Sequence, residues 1–398
     1  MRKLTTYLLV CLMEGLLSSP SVVGQSMIQE GFLHDGVWRD YWVHLPQSYV
    51  GSHSFPLIVN LHGFGSDAES QAIYTAMNQV ADTAGIIIVY PQGILGELPW
   101  LGKNTHWNAF FNEEVDDLGF LDRLLDRLLG TYAIDPARIY VTGHSNGGFM
   151  SYLLACERSD RIAAVASVAG SMHNTQFRHC QPLYPVPILL IHGTEDRTIK
   201  FDGSSHYASV DQLVDFWVET YSCSPQAETI HLPNLDTQDQ STVSVRYFSS
   251  CENGSTEVHV YHIQNGGHTW PGTTEYFEQI GVVNQDIHAS EVIWEFFRRY
   301  THPSPSPPKA FTEESSLGSP QLPFSWSYDR SSDQLQVHWP EEIPHWVQMQ
   351  DMAGQEVYHS PYPGVELTID VHGLASGIYL IRSKQGGKIR YQKIGIIK

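Results

Sequence analysis

Two patterns of apolar residues alternate over the first 300 positions. Continuous apolar runs at 56–61 and 86–90 each stop at a glycine-containing segment, which is typical of buried parallel strands that end in loops. Between 118 and 129, leucines recur every three or four residues, which predicts an amphipathic helix with Asp116 or Asp117 as its N-cap. The alternation predicts an α/β fold, a mainly parallel sheet with helices on both faces.

Three more apolar runs and a final helix continue this order. Strands are predicted at 138–142, 162–168 and 187–191, and Asp286 is the predicted N-cap of the last helix. In such a sheet, reactive groups gather where the strands end at their carboxyl side. Reactive residues are therefore expected in the segments that directly follow strands.

The pattern changes after residue 300. Residues 301–323 contain six prolines among serine, threonine and glycine, which predicts a semi-extended linker. Alternating apolar and polar residues at 334–339 and 346–349 then predict a β-rich module at 324–398. We expect this module to be a small β-sandwich that follows an α/β domain at 25–300.

The N-terminus has the order of a secretory signal. Arg2 and Lys3 precede an apolar run at 4–17 and then small residues, so 1–24 is predicted to be a signal peptide rather than a core helix. A weaker alternative is a lipoprotein cleavage box at Cys11. No other stretch of the sequence approaches the ~20 apolar residues that a membrane span needs.

Composition and charge exclude several classes of protein. Of the 398 residues, 42% are apolar and 17% are charged, which supports a sizeable core and argues against disorder. The 43 acidic residues outnumber the 23 basic ones, for a net charge of -20. Such a field repels phosphate backbones and anionic lipids, so nucleic acid and membranes are poor partners.

Four cysteines remain when the signal is set aside. Their even number and the absence of Cys-x-x-Cys spacing favour two disulfides over a metal site. Of the three possible pairings we favour the two local ones, each of which would remove roughly 3 to 4 kcal/mol of loop entropy from the unfolded chain. The favoured pairs are Cys156 with Cys180 and Cys223 with Cys251.

The motif Gly143–Gly148 is the strongest chemical signal. Its G-x-S-x-G spacing lies between an apolar strand and a helical run, which is what a nucleophile elbow needs, because small residues must flank the strained turn. Ser145 is therefore the predicted nucleophile. The alternative is an ordinary serine in a glycine-rich loop.

A serine nucleophile needs a base, and the base needs an acid to orient it. His268 is the predicted base, because it lies in a glycine-rich loop late in the chain. Asp196 follows a strand between the two, which gives the order Ser, Asp, His of α/β-hydrolases. Glu195 and Asp202 remain as competing acids.

An oxyanion hole and a substrate pocket are predicted around these residues. The amide of Asn146, directly after the nucleophile, and that of Phe64, in the loop after an early strand, are the candidate oxyanion donors. Aromatic residues near the motifs are candidates for an apolar acyl pocket, although core packing is their commoner fate. These aromatic residues are Trp107, Phe110, Phe111 and Trp270.

Together the motifs resemble those of the polyhydroxybutyrate depolymerase and feruloyl esterase group, related to carbohydrate esterase family one. The resemblance covers about 30–300 and implies a secreted α/β-hydrolase with no metal or organic cofactor. The four cysteines also resemble the paired cysteines of that group. The matching segments are His62-Gly63, Trp107-Asn108, Val115–Asp117, Gly143–Gly148, His192–Asp196 and Gly266–Gly272.

The C-terminal module carries a second resemblance. The segment 373–380, followed by Lys388, Lys393 and Lys398, is similar to the sorting domain of type IX secretion. This implies the type IX secretion machinery as a partner, passage across the outer membrane and removal of the tail. A carbohydrate-binding sandwich is the alternative interpretation.

The sequence thus predicts a secreted serine carboxylic ester hydrolase of feruloyl esterase or polyhydroxybutyrate depolymerase type. It acts outside the cell, free or attached to the cell surface. Alternatives are an acetylxylan esterase, an acyltransferase or peptidase on the same fold, and a non-catalytic surface binding protein. Without its two basic ends the chain is more negative than -20, which favours neutral esters over polyanions.

Overall fold

A computed structural model describes most of the α/β domain and much of the C-terminal module. The predicted signal peptide, Phe110, Phe111 and most of the predicted linker lie outside the described residues. The structure describes residues 27–98, 102–109, 115–252, 254, 256–275, 280–308, 325–329, 332–339, 347–351, 356–360, 364–385 and 388–396.

The α/β domain is built on a ten-stranded sheet and a separate hairpin, β5 and β6. The strands are β1 (Ile28–His34), β2 (Val37–His44), β3 (Phe55–Leu61), β4 (Ile87–Pro91), β5 (Ile94–Leu98), β6 (Gly102–His106), β7 (Ile134–His144), β8 (Ala164–Val168), β9 (Ile188–Gly193), β10 (Glu228–His231), β11 (Thr242–Phe248) and β12 (Val258–Gln264). Their order in the sheet is β1-β2-β4-β3-β7-β8-β9-β12-β11-β10. The strands from β4 to β12 in that order are parallel, and antiparallel strands flank them on both sides.

Helices cover both faces of this sheet. They are α1 (Ala68–Thr75), α2 (Met77–Ala84), α3 (Asp117–Thr131), α4 (Asn146–Glu157), α5 (Asn174–His179), α6 (Val210–Thr220) and α7 (Ala289–Phe297). Alternate residues of β3 enter two separate cores: Leu57 and Val59 pack with α3, α4 and α6, while Ile58 packs with α1, α2 and α7. The predicted α/β-hydrolase fold is confirmed.

One local prediction is confirmed with a longer range, and another is wrong. The strand expected at 138–142 begins earlier, because Ile134 already pairs with Phe55 of β3. The N-cap of α7 is His288 rather than Asp286. Asp286 instead accepts hydrogen bonds from backbone amides of a neighbouring loop, including that of Leu235 at 2.6 Å.

Asp116 is the N-cap of α3, and its side chain accepts from the amide of Gly119 at 2.8 Å. Asp117 is the first residue of that helix and is buried. Its carboxylate pairs with the buried Arg39 at 2.5 Å.

The C-terminal module consists of two antiparallel sheets. Its strands are β13 (Ser325–Asp329), β14 (Gln334–His338), β15 (Val347–Asp351), β16 (Glu356–Ser360), β17 (Glu366–Asp370), β18 (Gly377–Gln385) and β19 (Lys388–Ile396). The sheet orders are β13-β14-β17 and β16-β15-β18-β19. Buried residues of both sheets, such as Val337 and Ile381, form one core, as expected of a sandwich.

Both local disulfides are present. Cys156 of α4 is bonded to Cys180, and Cys223 is bonded to Cys251, which confirms the favoured pairing. Within the described residues, no helix combines the length and apolar character needed to cross a membrane.

Candidate active site

Ser145 lies in the sharp turn between β7 and α4. Its φ of 54° is a conformation that non-glycine residues rarely adopt. The turn depends on Gly147, since a Cβ there would lie 2.2 Å from the carbonyl oxygen of Leu61. The amide of Ser145 donates to the carbonyl of Val168 at 2.9 Å. This strand–turn–helix arrangement is the context that a nucleophile elbow requires.

Asp196 follows β9 in a tight turn. Its Oδ1 accepts from the amides of Thr198 at 2.8 Å and Ile199 at 2.9 Å, and the residue is 4% exposed. The two competing acids, Glu195 and Asp202, are exposed. Asp196 is therefore the acid whose carboxylate is held in a fixed direction.

His268 lies in the loop after β12, and its Nδ1 is 2.7 Å from Oδ2 of Asp196. The two loops pack closely, because a Cβ on Gly193 would lie 2.2 Å from the carbonyl oxygen of Gly266. Small residues at both positions thus allow the acid and the histidine to meet. The fold brings together two residues that are 72 positions apart in the sequence.

Ser145 and His268 both line a cavity of about 610 Å³. Asp196 contacts Nδ1 of His268. The other ring nitrogen, Nε2, is therefore the one that could accept a proton from Ser145. The cavity is found where β3, β7, β9 and β12 end. This is the edge of the sheet at which the sequence places the reactive groups.

The two candidate oxyanion donors also line the cavity. Phe64 belongs to the loop after β3, and Asn146 is the first residue of α4. The loop passes close to the nucleophile, because a Cβ added to Gly63 would lie 3.5 Å from the Cβ of Ser145. The amides of Phe64 and Asn146 are therefore in the right region for an oxyanion hole.

Burial controls the charge of the groups around the site. Desolvation lowers the pKa of His62 to about 4 and that of His144 to about 3, so both are neutral at ordinary pH. The ring of His144 lies 4.8 Å from that of His268. For Asp196, burial disfavours the carboxylate, but the hydrogen bond and charge of His268, together with His192, hold its pKa below the usual value.

The structure does not place Trp107 in the cavity wall, and this corrects the expected role in substrate binding. The residue is fully buried. Its amide donates to Oδ1 of Asn146 at 2.7 Å, its carbonyl accepts from Nδ2 of Asn146 at 3.1 Å, and its indole Nε1 donates to the carbonyl of His62 at 3.0 Å. Trp107 thus ties the residue after the nucleophile to the loop that carries Phe64.

Trp270 is likewise fully buried, and its expected role in substrate binding is corrected in the same way. Its Nε1 donates to the hydroxyl of Ser290 at 3.1 Å, and its amide donates to the hydroxyl of Tyr74 at 2.9 Å. Because Trp270 lies two residues after His268, these bonds fasten the histidine loop to α1 and α7.

Sequence reasoning missed most of the cavity wall. Several of the lining residues come from segments without a motif: Tyr74, Phe149, Ile199, Tyr207, Glu275 and Ile280. A second set of contacts, next to Trp107, was also not predictable from the sequence. There the amide of Asn108 donates to Asp117 at 2.6 Å, and Asp117 in turn pairs with Arg39.

One group of side chains in the described residues has the spacing of a cation site. His34 Nε2 lies 3.3 Å from Asp116 Oδ2 and 3.8 Å from Asp35 Oδ2. None of the three lines the cavity beside Ser145. Oδ1 of Asp116 caps α3, and its Oδ2 lies within hydrogen-bond distance of His34 Nε2. Hydrogen bonding therefore accounts for both contacts of Asp116.

Two family models match segments of this chain. A model of the phospholipase/carboxylesterase family matches residues 51–222. The α/β domain is similar to that family over this range. A model of the secretion system C-terminal sorting domain matches residues 331–398, which confirms the second resemblance.

The relatives of this α/β domain are esterases. The chain is 27% identical over 281 residues to feruloyl esterase D of Neurospora crassa, covering 67% of this chain and 83% of the relative. It is 26% identical over 272 residues to the bifunctional acetylxylan esterase/xylanase XynS20E of Neocallimastix patriciarum, covering 68% of this chain. The match spans about a third of that bifunctional protein, 34%. These relatives support a carboxylic ester hydrolase.

Among solved structures, the acetyl xylan esterase from Aspergillus awamori aligns with 69% of this chain and 100% of its own. The sequence identity is 13% and the TM-score is 0.48.

The buried position of Trp107 leads to a prediction. We expect Trp107→Phe to lower the free energy of unfolding by about 1–3 kcal/mol, because the carbonyl of His62 loses its buried donor. KM for a soluble ester should stay within about twofold, because the indole does not face the cavity. Thermal unfolding and steady-state kinetics measure the two effects. Tyr207→Leu, which alters the cavity wall, is the comparison variant and should change KM. A large rise in KM for Trp107→Phe with unchanged stability would instead show that Trp107 contacts the substrate directly.

Proposed function

We propose that the protein is a secreted serine ester hydrolase that uses Ser145, His268 and Asp196. The observation that carries the proposal is the shared cavity. Ser145 and His268 both line it, and His268 Nδ1 is hydrogen-bonded to the buried carboxylate of Asp196. The family match and the esterase relatives support the same class of reaction.

The proposed mechanism is acyl transfer in two steps. His268 Nε2 takes the hydroxyl proton as Ser145 attacks the ester carbonyl, and the amides of Phe64 and Asn146 stabilise the oxyanion. Collapse of the tetrahedral intermediate breaks the bond to the alcohol, which receives the proton from His268. Water, activated by the same histidine, then hydrolyses the acyl-enzyme. Asp196 orients His268 and stabilises its positive charge.

The cavity wall favours a neutral acyl group with aromatic or apolar bulk. Phe149, Tyr207 and Ile280 present apolar surface, while Asp67 and Glu275 carry the formal charges among the lining residues that the structure describes. A volume of about 610 Å³ greatly exceeds what an acetyl group fills. We therefore propose feruloyl or comparable aromatic esters of plant cell walls as the substrate, with polyester units as the next candidate.

A panel of three polymers tests this substrate class. The purified protein is given feruloylated arabinoxylan, acetylated xylan and polyhydroxybutyrate, and the released acids are quantified by chromatography, with Ser145→Ala as the blank. We expect kcat/KM for the feruloyl ester to exceed that for the acetyl ester by at least about tenfold, since burying the aromatic ring contributes more than ~1.4 kcal/mol. Release of acetate alone would instead assign an acetylxylan esterase.

Export is proposed from the two ends of the chain. The segment 1–24 has the order of a secretory signal, and residues 331–398 match a sorting domain. Extracellular plant polymers are consistent with that location. We propose that the type IX secretion machinery recognises the C-terminal module.

A further inference from the structure

The carboxylate of Asp196 has one contact that the proposed mechanism does not use. His192 lies four residues earlier, near the end of β9, and is 1% exposed. Its Nε2 lies 2.7 Å from the carbonyl oxygen of Ile199 and 3.4 Å from Oδ2 of Asp196. A second imidazole therefore approaches the same carboxylate oxygen that His268 contacts.

The partners of His192 fix where its proton lies. A carbonyl oxygen can only accept a hydrogen bond, so Nε2 must carry the hydrogen in the bond to Ile199. Burial lowers the pKa of His192, which favours the neutral ring. Nε2 of this neutral ring also lies 3.4 Å from Oδ2 of Asp196.

Ile199 connects this bond to the orientation of the acid. Its amide and that of Thr198 are the two donors that hold Oδ1 of Asp196. His192 binds the carbonyl of Ile199, and the amide of the same residue binds Asp196. His192 thus helps to hold the turn that orients the carboxylate. Both oxygens of the carboxylate are then fixed, one by amides of the turn and the other between two imidazoles.

We propose that His192 is a positioning residue for the hydrolytic reaction. Its Nε2–H locks the turn 196–199 through Ile199 and borders Oδ2 of Asp196, so that the carboxylate points at His268. This inference rests on the proposed function of Ser145, Asp196 and His268. It predicts that the loss of this donor lowers the rate of reaction rather than the binding of substrate.

The test compares variants that keep or remove the donor. His192→Phe keeps a ring but has no donor. His192→Gln places an amide NH₂ close to the position of Nε2, whereas the shorter His192→Asn cannot reach Ile199. We expect kcat for a p-nitrophenyl ester to fall about 10–100-fold in the Phe and Asn variants, with KM within about twofold, because small misplacements of catalytic groups have effects of this size. The Gln variant should recover at least about tenfold in kcat over Asn.

His302 supplies a matched control elsewhere in the fold. It is also buried, and its Nε2 lies 2.9 Å from the carbonyl oxygen of Ser159. His302→Phe should lose a similar bond without loss of kcat. If His192→Phe does not fold, the comparison of Gln with Asn decides the matter.

Three outcomes overturn the inference: equal kcat in the Gln and Asn variants, wild-type kcat in a folded Phe variant, or a change confined to KM. Failure of the proposed function is distinguished by Ser145→Ala. If that variant keeps its activity, the assignment of the nucleophile fails. If it is inactive while the His192 variants behave like the wild type, only the positioning role fails.

Discussion

Replacing Ser145 with alanine is expected to lower kcat for a p-nitrophenyl ester by at least about 10⁴-fold. In the proposed mechanism the loss is large because the hydroxyl forms the covalent bond to the acyl group. Some rate above the uncatalysed reaction should remain, since the oxyanion donors and the cavity are unchanged. Steady-state kinetics and labelling with an active-site phosphonate measure the effect. We expect no label on Ser145→Ala.

The backbone at Ser145 provides a second readout. With a φ of 54°, the residue has a conformation that costs of order 1–3 kcal/mol for a side chain with Cβ. Ser145→Gly should therefore be as inactive as Ser145→Ala but more stable by about 1 kcal/mol. Thermal unfolding separates the two variants.

Ser48→Ala is the control for a serine replaced at an exposed position outside the cavity wall, and it should keep full activity. Retained hydrolysis by both Ser145 variants would refute the assignment of the nucleophile. Unequal activity of the Ala and Gly variants would contradict the idea that only the hydroxyl matters.

The parts of the site that are short and local in sequence could be predicted. The turn at Ser145 needs small residues on both sides, and all the residues concerned lie within the six positions Gly143–Gly148. Asp196 directly follows an apolar strand, so its position at the sheet edge follows from the fold class. The order of Ser145, Asp196 and His268 then fits an α/β-hydrolase.

The aromatic residues could not be assigned in the same way. An indole suits a cavity wall or a core equally well, and the difference lies in partners that are distant in sequence. Trp107 bonds to His62 and Asn146, 45 and 39 residues away, and Trp270 bonds to Tyr74, 196 residues away. A local sequence pattern contains no information on such distant contacts, so the sequence alone does not distinguish a cavity wall from the core for these two residues.

Asp286 shows the same limit for a polar residue. Its position before a helical pattern suits an N-cap, but its carboxylate binds the amides of Leu235 and Asp236 instead. Tertiary contacts to backbone amides therefore overrode the local preference for a cap. Asp116, whose partner Gly119 lies three residues away, was predicted as a possible cap of α3.

Asp196→Asn is expected to lower kcat by about 10⁴-fold while the fold remains intact. Asn can keep the two bonds from Thr198 and Ile199 to Oδ1, but it places an NH₂ group where Oδ2 faces His268. His268 Nδ1 must then accept rather than donate, so Nε2 carries the hydrogen and cannot remove the proton of Ser145. The pKa of Asp196 lies below its usual value, so the wild-type carboxylate is ionised near neutral pH. The Asn variant lacks this charge, and its full loss of kcat should therefore be seen at neutral pH.

The neighbouring acids are the matched controls for this variant. Glu195→Gln and Asp202→Asn remove a charge from exposed positions close in sequence, and both should keep wild-type kcat. Thermal unfolding checks that all three variants fold. If Glu195→Gln instead shows the large loss and Asp196→Asn does not, the acid has been misassigned, and the bond between Asp196 and His268 has only a structural role. If all three variants are active, the histidine needs no acid to orient it, and the proposed mechanism must change at that step.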